Sequence, residues 1–163
     1  MKSGREMNQA LRAAMDRRFG ADSEKVKLAM RQFLFSQPLA IRCPNRIWLS
    51  HSLPSDRYAA DFDFNLFRRK LKINDVVKPG DAYVLTWGRR ISQENLDRFA
   101  RTLDVDIFIV GHQPQSKGYC RAANNLLILA SDHNHGCLLP INLSGFYTVE
   151  GLIQTIIPIA SIA

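Results

Sequence analysis

Cysteine is scarce in this 163-residue chain, with only Cys43, Cys120 and Cys137, widely spaced and forming no CxxC pair. That pattern argues against a disulfide framework and is read as three reduced, mostly packed thiols of a cytoplasmic protein. Long apolar runs are missing as well. No uninterrupted stretch approaches the roughly 18 residues of a membrane span, so a transmembrane helix is excluded and no membrane partner is expected. The opening Met1-Lys2-Ser3-Gly4-Arg5-Glu6 has no apolar core of the kind a secretory signal needs. Internal repeats, low-complexity tracts and linkers are also lacking, and at this length one compact domain is the expectation.

Acidic residues are in deficit. Lys and Arg together number 22 against 15 Asp and Glu, leaving a net charge of +7, and 15 of those cations are arginine. Such a balance can draw a protein to nucleic acid, anionic membranes or phosphorylated substrates. The charges are dispersed among Arg17-Arg18, Arg68-Arg69-Lys70 and Arg89-Arg90. The first two clusters read as solvated faces. A nucleic-acid partner is not expected, because neither an aromatic-basic platform nor a recognition helix is present.

The periodicity predicts two opening helices. Residues 7–19 carry Leu11, Ala14, Met15 and Phe19 near helical spacing, and Gly20 ends the run. Asp22 or Ser23 caps a second helix to about 35, with Val26, Ala29, Met30, Phe33 and Leu34 on one face and methionine as core filler. Segments 39–43 and 46–50 form a hairpin around Pro44-Asn45. A short helix is expected at 66–71, a turn at 78–81 and a strand at 82–87. Ser92 caps a helix to 103, with Leu96, Phe99, Ala100 and Leu103 facing a sheet. Strand 106–110 then completes a crossover unit. Runs 119–122, 126–130 and 137–143 read as an antiparallel meander, and 148–157 as a final helix or strand limited by Pro158. The fold class is α/β with a mixed sheet: 1–36 helical, 37–163 mixed α/β.

Two of the four histidines stand just beyond apolar runs. Ile47-Trp48-Leu49-Ser50 leads into His51, and Ile107-Phe108-Ile109-Val110 leads into Gly111-His112-Gln113-Pro114. Turns at the rim of an open α/β sheet are where ligands bind, and two imidazoles arriving there can share a cation. Neither belongs to a local metal motif such as HExxH, so the plainer reading is a hydrogen-bonded histidine at each strand end. Asp132-His133-Asn134-His135 is a dense donor cluster. On a strand, His133 and His135 would share a face and allow a small metal site; the plainer reading is a polar turn near the rim. Asp61 and Asp63 lack the glycine and terminal Glu of an EF-hand.

Taken in order, IWLSHSLP, LTWGRR, DIFIVGHQP and NNLLILASDHNHGCLLPINL resemble the C-terminal half of calcineurin-like metallophosphoesterases, in the branch that holds serine/threonine phosphatases. The resemblance spans roughly 33–143. It implies a mixed-sheet metallophosphoesterase-like sandwich, here incomplete, with an N-terminal helical segment. It also implies that His51 and His112 are metal ligands, and that Arg89, two positions after Trp87, contacts substrate phosphate through its planar fork. The plainer reading of Arg89 is a surface charge flanking a helix. His133 and His135 are candidate rim residues. The implied cofactors are divalent ions (Mn, Fe or Zn), binuclear only with an upstream segment. The implied substrate is a phosphorylated small molecule or phosphoprotein.

The family's Asp-x-His, Gly-Asp-x-x-Asp-Arg-Gly and Gly-Asn-His-Glu/Asp signatures do not occur. The chain therefore reads as the C-terminal portion of a longer phosphoesterase, inactive alone. It is expected to self-associate through sheet surface that missing strands would cover. The alternative is a non-catalytic phosphate- or protein-binding remnant of the same fold.

Overall fold

The computed structural model describes residues 8–162, which fall into two compact units that divide between Pro38 and Leu39. The helix start expected at Met7 and the segment Met1-Glu6 read for a leader lie outside the described residues.

The first unit is a helical hairpin of α1 (Gln9–Phe19) and α2 (Ser23–Ser36), joined by a 3-10 turn at Gly20–Asp22. Gly20 has φ +51°, a conformation that suits glycine and breaks the first helix. Asp16 accepts hydrogen bonds from Ser23 and Lys27 and so ties the two helices together, and these bonds hold its carboxyl below the usual range. Met15 is buried, as expected of core filler, but Met30, Phe33 and Leu34 are exposed.

The second unit is built on a five-stranded mixed sheet. Its strands are β1 (Ala40–Arg42), β2 (Ile47–Ser50), β3 (Ile107–Val110), β4 (Tyr119–Ala123) and β5 (Leu126–Leu129), in the spatial order β1-β2-β3-β5-β4. The three central strands run parallel, while β1 and β4 lie antiparallel at the two edges. Central parallel strands are covered on both faces, which is why they read as continuous apolar runs. Alternation divides them cleanly. Trp48, Phe108, Val110, Leu126 and Ile128 enter one core with Leu96 and Phe99, whereas Ile47, Ile107, Ile109 and Leu127 enter the other with Val149 and Leu152.

Four helices span the connection from β2 to β3: α3 (Asp56–Ala59), α4 (Ile73–Val76), α5 (Asp81–Trp87) and α6 (Gln93–Leu103). Leu96 and Phe99 are the buried stripe of α6, and the Ser92 hydroxyl caps it by accepting from Asn95 N. On the other face lies α7 (Val149–Gln154), and β6 (Cys137–Leu138) and β7 (Ile157–Pro158) pair as a small two-stranded sheet.

Three expectations need correction. Residues 82–87 are helical, not a strand. Tyr83, Val84, Thr86 and Trp87 favour β structure, but Val84 N bonds Gly80 O at 3.0 Å and the Thr86 hydroxyl bonds Ala82 O at 2.7 Å, both at helical spacing. Ala82 and Leu85 then share the buried side. The expected helix at 66–71 is a 3-10 turn at Phe64–Arg68, started by the Asp63 carboxylate accepting from Asn65 N. The meander stops after two strands, because β5 pairs in parallel with β3 and Cys137 and Leu138 pair with Pro158 and Ile157 instead. Cys43 and Cys137 are buried, Cys120 is half-buried and all three are free thiols. Burial pushes Cys43 and Cys137 above the usual thiol pKa. No helix among the described residues is long and apolar enough to cross a membrane.

Candidate functional site

The carboxyl ends of β2, β3 and β5 open on one edge of the sheet, the place where open α/β sheets receive ligands. His51 follows the last residue of β2, and its carbonyl accepts from Gly111 N at 3.1 Å, extending the parallel ladder to the base of the next turn. A chain of bonds braces this corner. Trp48 Nε1 donates to Ser50 Oγ at 3.0 Å, and Ser50 Oγ donates to Ser52 O at 2.7 Å.

His112 takes a positive φ of 65°, and Gln113 N bonds back to Gly111 O at 2.8 Å. That three-residue bond with a positive central φ makes a γ-turn, a strained arrangement for a residue with a Cβ. Its effect is to direct the ring toward β2. Nε2 of His51 and Nδ1 of His112 stand 3.0 Å apart, with ring centroids 4.8 Å apart and the planes tilted by 59°. Desolvation lowers the pKa of His51, favouring a neutral imidazole that can donate or accept in this pair.

A third segment, 87–92, is laced to the same rim. Gly88 lies so close to the 53–55 backbone that a Cβ would stand 1.8 Å from Leu53 O, and its own carbonyl accepts from the Ser52 hydroxyl. Arg89 N donates to Ser55 Oγ at 3.0 Å, and Asp56 N donates to Arg90 O at 3.0 Å. The Asp56 carboxylate accepts from Ser92 N and Asn95 Nδ2, each at 2.8 Å, which lowers its pKa. Trp87 meets His112 edge to face, with centroids 5.6 Å apart. Arg89 is thus tied by its backbone to Ser55 and is exposed, and it does not line the cavity beside the two histidines.

His51, His112, Gln113 and Pro114 form one side of a cavity of about 390 Å³, and Leu129, Ala130, Ser131 and Asp132 form the other. His133 and His135 do not line it. They occupy a turn, not a strand, where His133 Nδ1 accepts from His135 N at 3.1 Å and Nε2 donates to Gln115 O at 2.8 Å. One neutral tautomer satisfies both contacts. Gln113 and Ser131 were not singled out by sequence reasoning. Their only signal is position, immediately past two parallel strands.

As donors, the two histidines fit a shared cation. Two zinc–imidazole bonds of about 2.0–2.1 Å at tetrahedral angle span roughly 3.3 Å between nitrogens, close to the separation observed. The set is short, however. Among the described residues, no group of three or more His, Cys, Asp or Glu side chains could hold one ion. A catalytic zinc typically takes three protein ligands, so a pair of histidines does not by itself make such a centre.

A scan of protein-family models and a search of curated proteins found no match to this chain.

Proposed function

We propose that this chain carries a divalent-cation and phosphate site of the calcineurin-like metallophosphoesterase type. In this reading His51 and His112 are imidazole ligands, Arg89 is the phosphate contact, and the second unit is the corresponding part of that fold. The observation that supports it most directly is the 3.0 Å approach of two histidine nitrogens at the carboxyl edge of parallel strands. A bound Mn, Fe or Zn ion would supply Lewis-acid polarisation of a phosphoryl oxygen. The protein's own part is to hold the two imidazoles close together and to supply a guanidinium from Arg89. With two ligands the chain binds phosphomonoesters, on a small molecule or a phosphoprotein, without sustained hydrolysis.

A second reading, a non-catalytic phosphate- or protein-binding remnant, is favoured by the lack of a third donor among the described residues. Metal-stripped protein titrated with manganese separates the two. The first reading expects weak binding, lost in both His51→Ala and His112→Ala, with little turnover of a phosphomonoester. Phosphate binding that is indifferent to manganese and to either substitution supports the remnant. Robust manganese-dependent turnover abolished by His112→Ala would show that further residues complete the centre.

A further inference from the structure

Trp87 ends α5 beside the histidine pair, yet 46% of it is exposed. Its indole is fixed on two sides. Tyr83, one turn earlier, stacks on it with centroids 6.1 Å apart and planes 29° apart, and the His112 ring lies perpendicular to it at 5.6 Å. The close approach at Gly88 prevents this end of the helix from drawing back from the 53–55 turn. Arg89 follows two residues later and is exposed. The molecule's other tryptophan behaves differently: Trp48 is buried in the core. A rigid, half-exposed aromatic beside polar groups is the usual composition of a ligand contact, in which the ring supplies apolar area and the polar groups orient the ligand.

We infer that Trp87 is the contact for a planar aromatic group carried on the phosphate ester, so that the site takes an aryl phosphate or a nucleoside monophosphate rather than an alkyl one. This rests on the phosphate-site reading above. The ester's phosphate lies toward His51, His112 and Arg89, and its aromatic group packs on the exposed part of the indole.

Calorimetry on the intact chain, with and without added manganese, tests it with five probes: inorganic phosphate, methyl phosphate, cyclohexyl phosphate, phenyl phosphate and adenosine monophosphate. Phenyl phosphate should bind about tenfold more tightly than cyclohexyl phosphate, which has similar bulk without a π face, the scale expected for aromatic stacking. Trp87→Leu should erase that difference, read as the ratio of phenyl to cyclohexyl affinity in the same protein, while Trp87→Phe should keep most of it. Because Trp48 is buried, quenching of tryptophan emission by the aromatic probes should vanish in Trp87→Phe. Tighter binding of phenyl phosphate or of the nucleotide identifies which source the site prefers. Equal binding of cyclohexyl and phenyl phosphate, or a preference that survives in Trp87→Leu, overturns the inference while leaving the phosphate site standing. Absence of binding by every probe, inorganic phosphate included, overturns both.

Discussion

His51 and His112 are 61 positions apart in the chain, yet their ring nitrogens lie 3.0 Å apart. Parallel pairing of β2 with β3 brings the strand ends together, and the bond from Gly111 N to His51 O sets the two turns in register. Each ring then serves as the other's hydrogen-bond partner.

The pair has a definite pH signature. The His51 pKa is lowered by desolvation, so the unfolded chain binds a proton that the folded one refuses. The neutral His51 contribution to stability is fully present above the unfolded value of about 6.5, declines as pH falls below it, and levels off beneath the folded pKa. Imidazole NMR titration should show His51 with a midpoint below that of a free histidine. A midpoint above it would contradict this account of the pair.

His112 is left-handed because the turn requires it, not because histidine prefers it. His112→Gly should therefore retain the fold and relieve strain, stabilising by about 0.5–1 kcal/mol, while losing the ring contact with His51. His112→Val should cost roughly 1–2 kcal/mol, since a β-branched residue tolerates positive φ poorly. Denaturant unfolding of the two variants checks both signs.

Gly88 and Gly111 flank the site and should respond in opposite ways. A Cβ at Gly88 would stand 1.8 Å from Leu53 O, whereas at Gly111 the nearest atom is 3.7 Å away. Gly88→Ala should destabilise by about 1–3 kcal/mol, the range for forced overpacking. Gly111→Ala should fall within about 0.5 kcal/mol of the parent. Thermal unfolding of the two proteins, measured side by side, decides the point.

Asp75, in α4, anchors the segment that leads into that helix. Its carboxylate makes two bonds to Arg69, at 2.6 and 2.8 Å, and one to Lys72 N at 2.6 Å. The Arg69 guanidinium and that backbone bond hold its pKa far below the usual carboxylate value. A depressed carboxylate pKa contributes stability that is present above the unfolded value and lost as pH falls through the folded one. Asp75→Asn should be less stable at neutral pH and should show a shallower acid-unfolding profile. An unchanged acid limb would show that this pair contributes nothing to acid sensitivity.

Much of the fold was legible in the sequence where local signals were strong. The two opening helices, the β1–β2 hairpin, the Ser92-capped helix and the apolar run of β3 carry periodicity, caps or turn residues that need no distant partner. The convergence of the two histidine turns was also foreseeable, because each stood just past a strand. Residues 82–87 were misread because four β-favouring side chains outweighed a short apolar stripe that fits either period. Only packing above the sheet resolved it.

The remaining points belong to tertiary structure. No local feature of residues 137–138 reveals that they pair with 157–158, because strand partners are chosen by the shape of the whole core. Nor does sequence show that Asp132 faces the cavity while His133 and His135 turn aside to satisfy their own loop. Residue types and strand-end positions determined which side chains could meet. The β2–β3 register, the positive φ of His112 and the close approach of Gly88 decided which ones do, because backbone hydrogen bonds and steric exclusion act only once distant segments are in contact.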